Sequence, residues 1–136
     1  MDFTYTPEQE KFRAELRRWL EKNSAEAFGH TREGLGGSTA SLLDVRDDRG
    51  WNQLLDYHRR LYQAGYVALQ WPKEWGGGGA SMIDQAIYQD EVLRLALPLY
   101  GANQLAIDRI GPTIMHLGTE QQKKRYLLKM LTGEEI

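Results

Sequence analysis

The side chains able to do chemistry are few and scattered along the chain. Three histidines, His30, His58 and His116, lie far apart along the chain, and none has a carboxylate three residues before it. Neither Glu-x-x-His nor His-Glu-x-x-His occurs, so the local motifs of di-iron bundles and zinc hydrolases are missing. His58 and His116 read as surface or core histidines. With no cysteine, neither a disulfide framework nor a thiolate zinc site can form. Asp84, Asp90 and Glu91 place carboxylates on or near one helix. A general base needs a partner or a substrate beside it, and spacing alone reads these three as solvated or paired charges. Gly76–Gly79 invites a phosphate-loop reading, but no Lys-Ser/Thr follows. It reads instead as a flexible turn that lets the connector pass close to another backbone. A Gly-x-Ser-x-Gly elbow is also missing. Lys123-Lys124-Arg125 reads as the solvent face of a helix, although a basic helix could touch a phosphate-bearing ligand. No catalytic, cofactor-binding or metal-binding residue can be named from these groups.

Composition narrows the class. The chain has 136 residues, 41% hydrophobic and 26% charged, which suits one globular domain with a real core. Its 17 basic and 19 acidic residues leave a net charge of −2, which argues against nucleic acid or an anionic membrane as the main partner. Met1-Asp2-Phe3-Thr4-Tyr5 lacks the basic and apolar regions of a secretory signal, and no run of about 18 apolar residues occurs. A cytoplasmic location is the expectation. The ending Gly133-Glu134-Glu135-Ile136, directly after a helix and without a polar tail, reads as a cut.

The elements that must position any site are helical. Thr6-Pro7-Glu8-Gln9 opens a first helix with a capping box and proline at its first position, and Phe12, Leu16, Trp19 and Leu20 form its apolar stripe. Asn23 or the following residues end it. From 24 to 48 the periodicity dissolves among glycines and serines, which predicts a long surface excursion with a short helical turn near Leu42. A second helix begins near Trp51 and closes at Gly65, with Trp51, Leu54, Leu55, His58, Leu61 and Tyr62 on one face. Tyr66 to Trp71 is apolar and extended in character, and Pro72 makes the stretch to Gly79 a non-helical connector. Ser81 and Asp84 cap a third, largely buried helix that Pro98 ends. A fourth carries Leu105, Ile107 and Ile110, is interrupted or kinked at Gly111-Pro112, and resumes to Gly118. Thr119 and Gln122 cap a last helix that Gly133 closes. The chain is expected to be all-α, a bundle of five or six helices.

Three stretches carry a specific likeness. Phe3 to Leu20, then LYQAGYVALQWPKEWGGGG from Leu61 to Gly79, then Gly111-Pro112-Thr113 with His116 to Lys123 and Leu131 to Glu135 occur in order and at family-like spacing. Over nearly its full length the chain resembles the N-terminal helical domain of the acyl-CoA dehydrogenases. The resemblance implies that residues 1–136 form that domain, followed in the family by a middle β-domain and a C-terminal helical bundle absent from this chain. In the family, a glutamate in that bundle removes the α proton of an acyl-CoA thioester while FAD takes the β hydride. The main flavin contacts begin just past this chain's end, so the fragment alone is expected to be inactive and not to hold FAD.

The same resemblance assigns this domain one wall of the acyl pocket, from Ala102, Leu105, Ala106 and Arg109. Leu105 and Ala106 suit an apolar acyl chain. Arg109 does not, and points to a substrate with a polar group; alternatively Leu105 and Ala106 are core and Arg109 is surface. The long excursion and the ending resemble bacterial enzymes of fatty acid or steroid side-chain β-oxidation. Implied partners are acyl-CoA, an electron-transfer flavoprotein or similar acceptor, and further subunits in a homotetramer or heterotetramer. Two other readings stay open: a flavin monooxygenase or nitroalkane oxidase of the same fold, and a non-catalytic helical interaction module or partner subunit.

Overall fold

A computed structural model describes residues 4–28 and 48–135. Among them there is no strand, and the fold is all-helical. The helices are α1 (Pro7–Phe28), α2 (Asp48–Gln63), α3 (Met82–Arg94), α4 (Gly111–Leu117) and α5 (Glu120–Thr132). A single 3-10 turn, Lys73–Trp75, and a five-residue-wide helical turn, Ala106–Ile110, supplement them. Helix α1 packs on α2 and α3, α5 packs on α2 and α4, and the wide turn rests on α4 and α5.

Local signals start the helices. Thr6 and Gln9 exchange side-chain and backbone hydrogen bonds at 2.8 and 3.3 Å. The same reciprocal box stands at Ser81 with Asp84 and at Thr119 with Gln122, each satisfying N–H groups that the first turn leaves free. Gly65 ends α2 at φ 79°, with Tyr66 N–H donating to Leu61 O at 2.8 Å and Gly65 N–H to Tyr62 O at 3.0 Å. Those two bonds satisfy carbonyls that the helix end would otherwise orphan.

Tertiary contacts move several boundaries. Helix α1 does not end at Asn23 but runs through Phe28. Asn23 donates to Trp19 O at 2.9 Å rather than capping, Ala27 is buried, and the Phe28 ring lies 5.1 Å from that of Tyr57. The last helical turn is therefore held by packing on α2, which propensity alone does not foresee. The rest of the expected excursion, including His30 and the turn near Leu42, lies outside the described residues. Helix α2 begins at Asp48, three residues before Trp51.

The stretch 66–71 is not extended. It is a series of turns in which Trp71 N–H donates to Ala68 O at 3.1 Å, and Lys73–Trp75 forms a 3-10 turn where no helix was expected. The glycines fold back on it. Gly78, Gly79 and Ala80 donate to the carbonyls of Ala68, Trp71 and Leu69 at 3.2, 2.9 and 2.8 Å. A Cβ at Gly77 would collide with the Trp71 carbonyl, so the close backbone approach is real. These hydrogen bonds pin the turn that the glycines alone would leave loose.

Helix α3 stops at Arg94, short of Pro98, because Ala96 adopts φ 51°. Ala96 N–H donates to Leu93 O and Leu97 N–H to Val92 O, both at 3.0 Å. It is a glycine-type cap built on alanine. Only one face of α3 is buried, through Ile87, Tyr88, Glu91 and Val92, while Met82, Ile83 and Leu93 are exposed. The core around these residues is filled by Trp71, Tyr57, Leu16, Leu20, Leu61, Ile107, Leu127 and Leu131.

Glu91 is buried on α3 and paired. It accepts from Arg13 Nε at 2.8 Å, Arg17 Nε at 2.8 Å and Nη2 at 2.6 Å, and Arg94 Nε at 3.1 Å. The Arg17 hydrogen bond, with those of Arg13 and Arg94, outweighs desolvation and holds its pKa down to about 2. Asp84 serves the capping box, and Asp90 sits 3.7 Å from Arg13. The three carboxylates thus divide between capping and clamping α1 to α3.

Candidate functional site

One apolar groove of about 380 Å³ opens where the segment before α4 faces the end of α5. Its walls are Trp51 from α2, residues 102–106 and Ile110 from the wide turn and its approach, and Met130 and Glu135 from the C-terminal end. Ala102, Leu105 and Ala106 therefore share one wall. Ala102 and Ala106 are buried beneath it, whereas Leu105 is 58% exposed. Arg109 does not line the groove. Its side chain is 77% exposed, with Asp108 3.9 Å away. Leu105 lines the groove and Arg109, four residues on, does not.

Two buried polar groups tie the segment before α4 to α2 and α5. Asn103 Nδ2 donates to Met130 O at 3.0 Å and Glu135 O at 3.1 Å, binding the approach segment to the end of α5. Beneath it, His58 places Nδ1 3.1 Å from Tyr100 O and Nε2 2.8 Å from Leu131 O. A neutral imidazole has one N–H and can donate to only one of them. Burial pushes the His58 pKa below its ordinary value, against the pull of the two carbonyls. Gly101 and Gly133, at φ 59° and 76°, both approach the ring so closely that a Cβ would strike it. His58 is a core histidine, and His116 is exposed.

The wall's shape comes from the wide turn. Gly111 N–H donates to Ala106 O, five residues back. The Ile107 carbonyl, which Gly111 would engage in an α-helix, accepts instead from the buried Trp71 indole at 3.0 Å. Sequence patterning had pointed to a kink at Gly111-Pro112; the structure absorbs it by widening the turn. Patterning missed Trp51, Asn103, Ile110, Met130 and Glu135 as groove residues, because their convergence is non-local. The apolar character of Trp51, Ile110 and Met130 was the only available signal.

The groove carries no cation and one carboxylate, Glu135. It suits an apolar chain and does not fit a dinucleotide pyrophosphate. Among the described residues, no group of three histidine, aspartate or glutamate side chains is placed to hold a metal ion. Lys123 pairs with Glu120 at 2.9 Å and lies 5.8 Å from the Trp75 ring centroid, and Arg125 lies 5.1 Å from that of Tyr126. No helix of the described residues is long and apolar enough to cross a membrane.

Fold and groove together define an all-helical domain with an apolar groove at its surface. The family model "Acyl-CoA dehydrogenase, N-terminal domain" matches residues 6–134, and the chain belongs to that family. It is 35% identical over 129 residues to the acyl-CoA dehydrogenase IpdE1 of Mycolicibacterium smegmatis, covering 95% of this chain and 31% of that one. Among solved structures it resembles a chain of the ChsE4-ChsE5 complex from Mycobacterium tuberculosis, with TM-score 0.72 and 32% identity over 100% of this chain and 30% of that one. It also resembles a chain of the Tcur3481-Tcur3483 steroid ACAD, with TM-score 0.69 and 29% identity over 100% of this chain and 32% of that one. The chain thus spans about a third of the length of these relatives.

Proposed function

We propose that this domain supplies one wall of the acyl pocket of an FAD-dependent acyl-CoA dehydrogenase, through Ala102, Leu105, Ala106 and the neighbouring Ile110. The observation that carries the proposal is the apolar groove immediately before Gly111-Pro112-Thr113, where the first three of these residues meet. Burying an acyl chain against such a wall is worth about 0.8 kcal/mol per methylene removed from water. The wall binds, orients and excludes water; it moves no proton. The base and the flavin belong to the remaining two-thirds of a family chain, and the fragment alone is inactive. Arg109, outside the groove and exposed, would meet a polar group of the substrate rather than the apolar chain itself.

A bulky acyl substrate, steroid side chain or fatty acyl, is favoured by the likeness to a steroid ACAD and by a groove that is open rather than sealed. The likeness to chains of the ChsE4-ChsE5 complex and of Tcur3481-Tcur3483 favours assembly with a second kind of subunit, one of the two lacking the base. Electrons would pass to an electron-transfer flavoprotein or similar acceptor in the cytoplasm. The test is to read the coding frame past Ile136 and purify its product with any co-encoded partner. Yellow colour and anaerobic bleaching by an acyl-CoA panel are expected. An immediate stop codon, or a flavin unmoved by any acyl-CoA but turning over with oxygen, would reject the dehydrogenase reading.

A further inference from the structure

The groove wall depends on an arrangement that an ordinary helix cannot make. On an ideal α-helix, residues five apart point about 140° away from each other, because each residue turns 100°. Leu105 and Ile110 are five apart, yet both line the same groove and both are partly exposed to it, at 58% and 42%. They share a face because Gly111 N–H reaches back to Ala106 O, which adds one residue to the turn. That shift leaves the Ile107 carbonyl without its helical donor in a position fully buried from solvent. An unpaired buried carbonyl is costly. The Trp71 indole N–H meets it at 3.0 Å, from a side chain only 1% exposed.

The fit is close on the other side as well. A Cβ at position 111 would overlap Cζ2 and Cη2 of the Trp71 ring, so glycine there makes room for the indole. Pro112 accounts for a missing N–H at its own position, whose helical acceptor would be Asp108 O. In the wide register the next donor for Ile107 O would be residue 112, which as proline has none, so the indole is the donor left for that carbonyl.

We infer that Trp71 is a positioning residue for the acyl wall: its indole N–H, donated to the Ile107 carbonyl, holds the wide turn that brings Leu105 and Ile110 onto one face. The wall role rests on the function proposed above; the hydrogen-bond register does not. Wide helical turns recur at functional sites, where they re-aim side chains, and this one is locked by a side chain thirty-six positions away.

The register can be read directly by NMR, from scalar couplings across hydrogen bonds in the isotopically labelled chain. In the unaltered protein, Gly111 15N should couple to the Ala106 carbonyl carbon and Trp71 15Nε1 to that of Ile107. Absence of the second coupling overturns the inference without any variant. Trp71→Phe should move the Gly111 coupling to Ile107 and abolish contacts between the Leu105 and Ile110 methyls. Pro112→Ala should leave both unchanged. If Trp71→Phe keeps the wide turn, or Pro112→Ala alone collapses it, Trp71 does not set the register. Should Trp71→Phe fail to fold, Gly111→Ala displaces the ring and must produce the same change of register. Titration of the methyl-labelled holoprotein, encoded by the frame that carries this domain, with dodecanoyl-CoA then tests the wall. Methyl shifts at Leu105 and Ile110 that are lost in Trp71→Phe support it, and equal shifts in both proteins overturn it. No shift in the unaltered holoprotein overturns the acyl reading and the wall role with it, while the register stands.

Discussion

Replacing Glu91 with glutamine keeps the shape of the side chain and removes its charge, which isolates what the three-arginine clamp contributes. In the folded protein the carboxylate titrates at about 2 rather than 4.5, chiefly through the Arg17 hydrogen bond, with Arg13 and Arg94 adding to it. A shift of about 2.5 units corresponds to roughly 3 kcal/mol of stability at neutral pH. The figure is an upper bound, because the arginine side chains are 29–41% exposed and recover hydration when the charge is lost. The sign follows from the lowered pKa. The contribution is fully present above about 4.5 and is lost as pH falls through about 2, since a protonated carboxyl resembles glutamine. Urea unfolding, which leaves ionic strength alone, should show Glu91→Gln less stable by up to about 3 kcal/mol at pH 7 and by about half that at pH 3. Other carboxylates titrate equally in both proteins and cancel. A stability gap that stayed constant from pH 7 to pH 3 would refute the clamp, as would a gap below about 0.5 kcal/mol at pH 7.

Two further substitutions probe the fold where it departs from the simplest expectation. Ala96 holds a left-handed conformation at φ 51°, so Ala96→Gly should raise stability by up to about 1 kcal/mol, seen as a higher Tm; an unchanged or lower Tm would count against strain there. The Tyr57 hydroxyl is buried with no hydrogen-bond partner among the described residues, and burial raises its pKa. Tyr57→Phe should therefore be neutral or stabilising by roughly 1 kcal/mol in urea, and a loss of more than that would reveal a partner for the hydroxyl.

What could be read from sequence was local. The boxes at Thr6 with Gln9, Ser81 with Asp84 and Thr119 with Gln122 lie three residues apart, and Gly65 and Gly133 mark helix ends by their conformational freedom. Each signal sits within one turn of what it controls. The features that escaped are contacts between distant residues. Arg13 and Arg17 meet Glu91 from 78 and 74 positions away, and Asn103 meets Met130 from 27 away. Alanine at a left-handed cap and a turn widened by a distant indole break the local rules on which patterning relies. The groove was half legible. Ala102, Leu105 and Ala106 converge on it, while Arg109 lies outside and exposed.

The acyl wall is tested most directly by photolabelling. An acyl-CoA with a diazirine near the distal end of its chain would be irradiated with the holoprotein encoded by the frame that carries this domain, and the adducts mapped by mass spectrometry. The account predicts labels on Leu105, Ala106 or Ile110, competed away by unlabelled acyl-CoA. Efficient, competable labelling confined to residues outside this groove would contradict it.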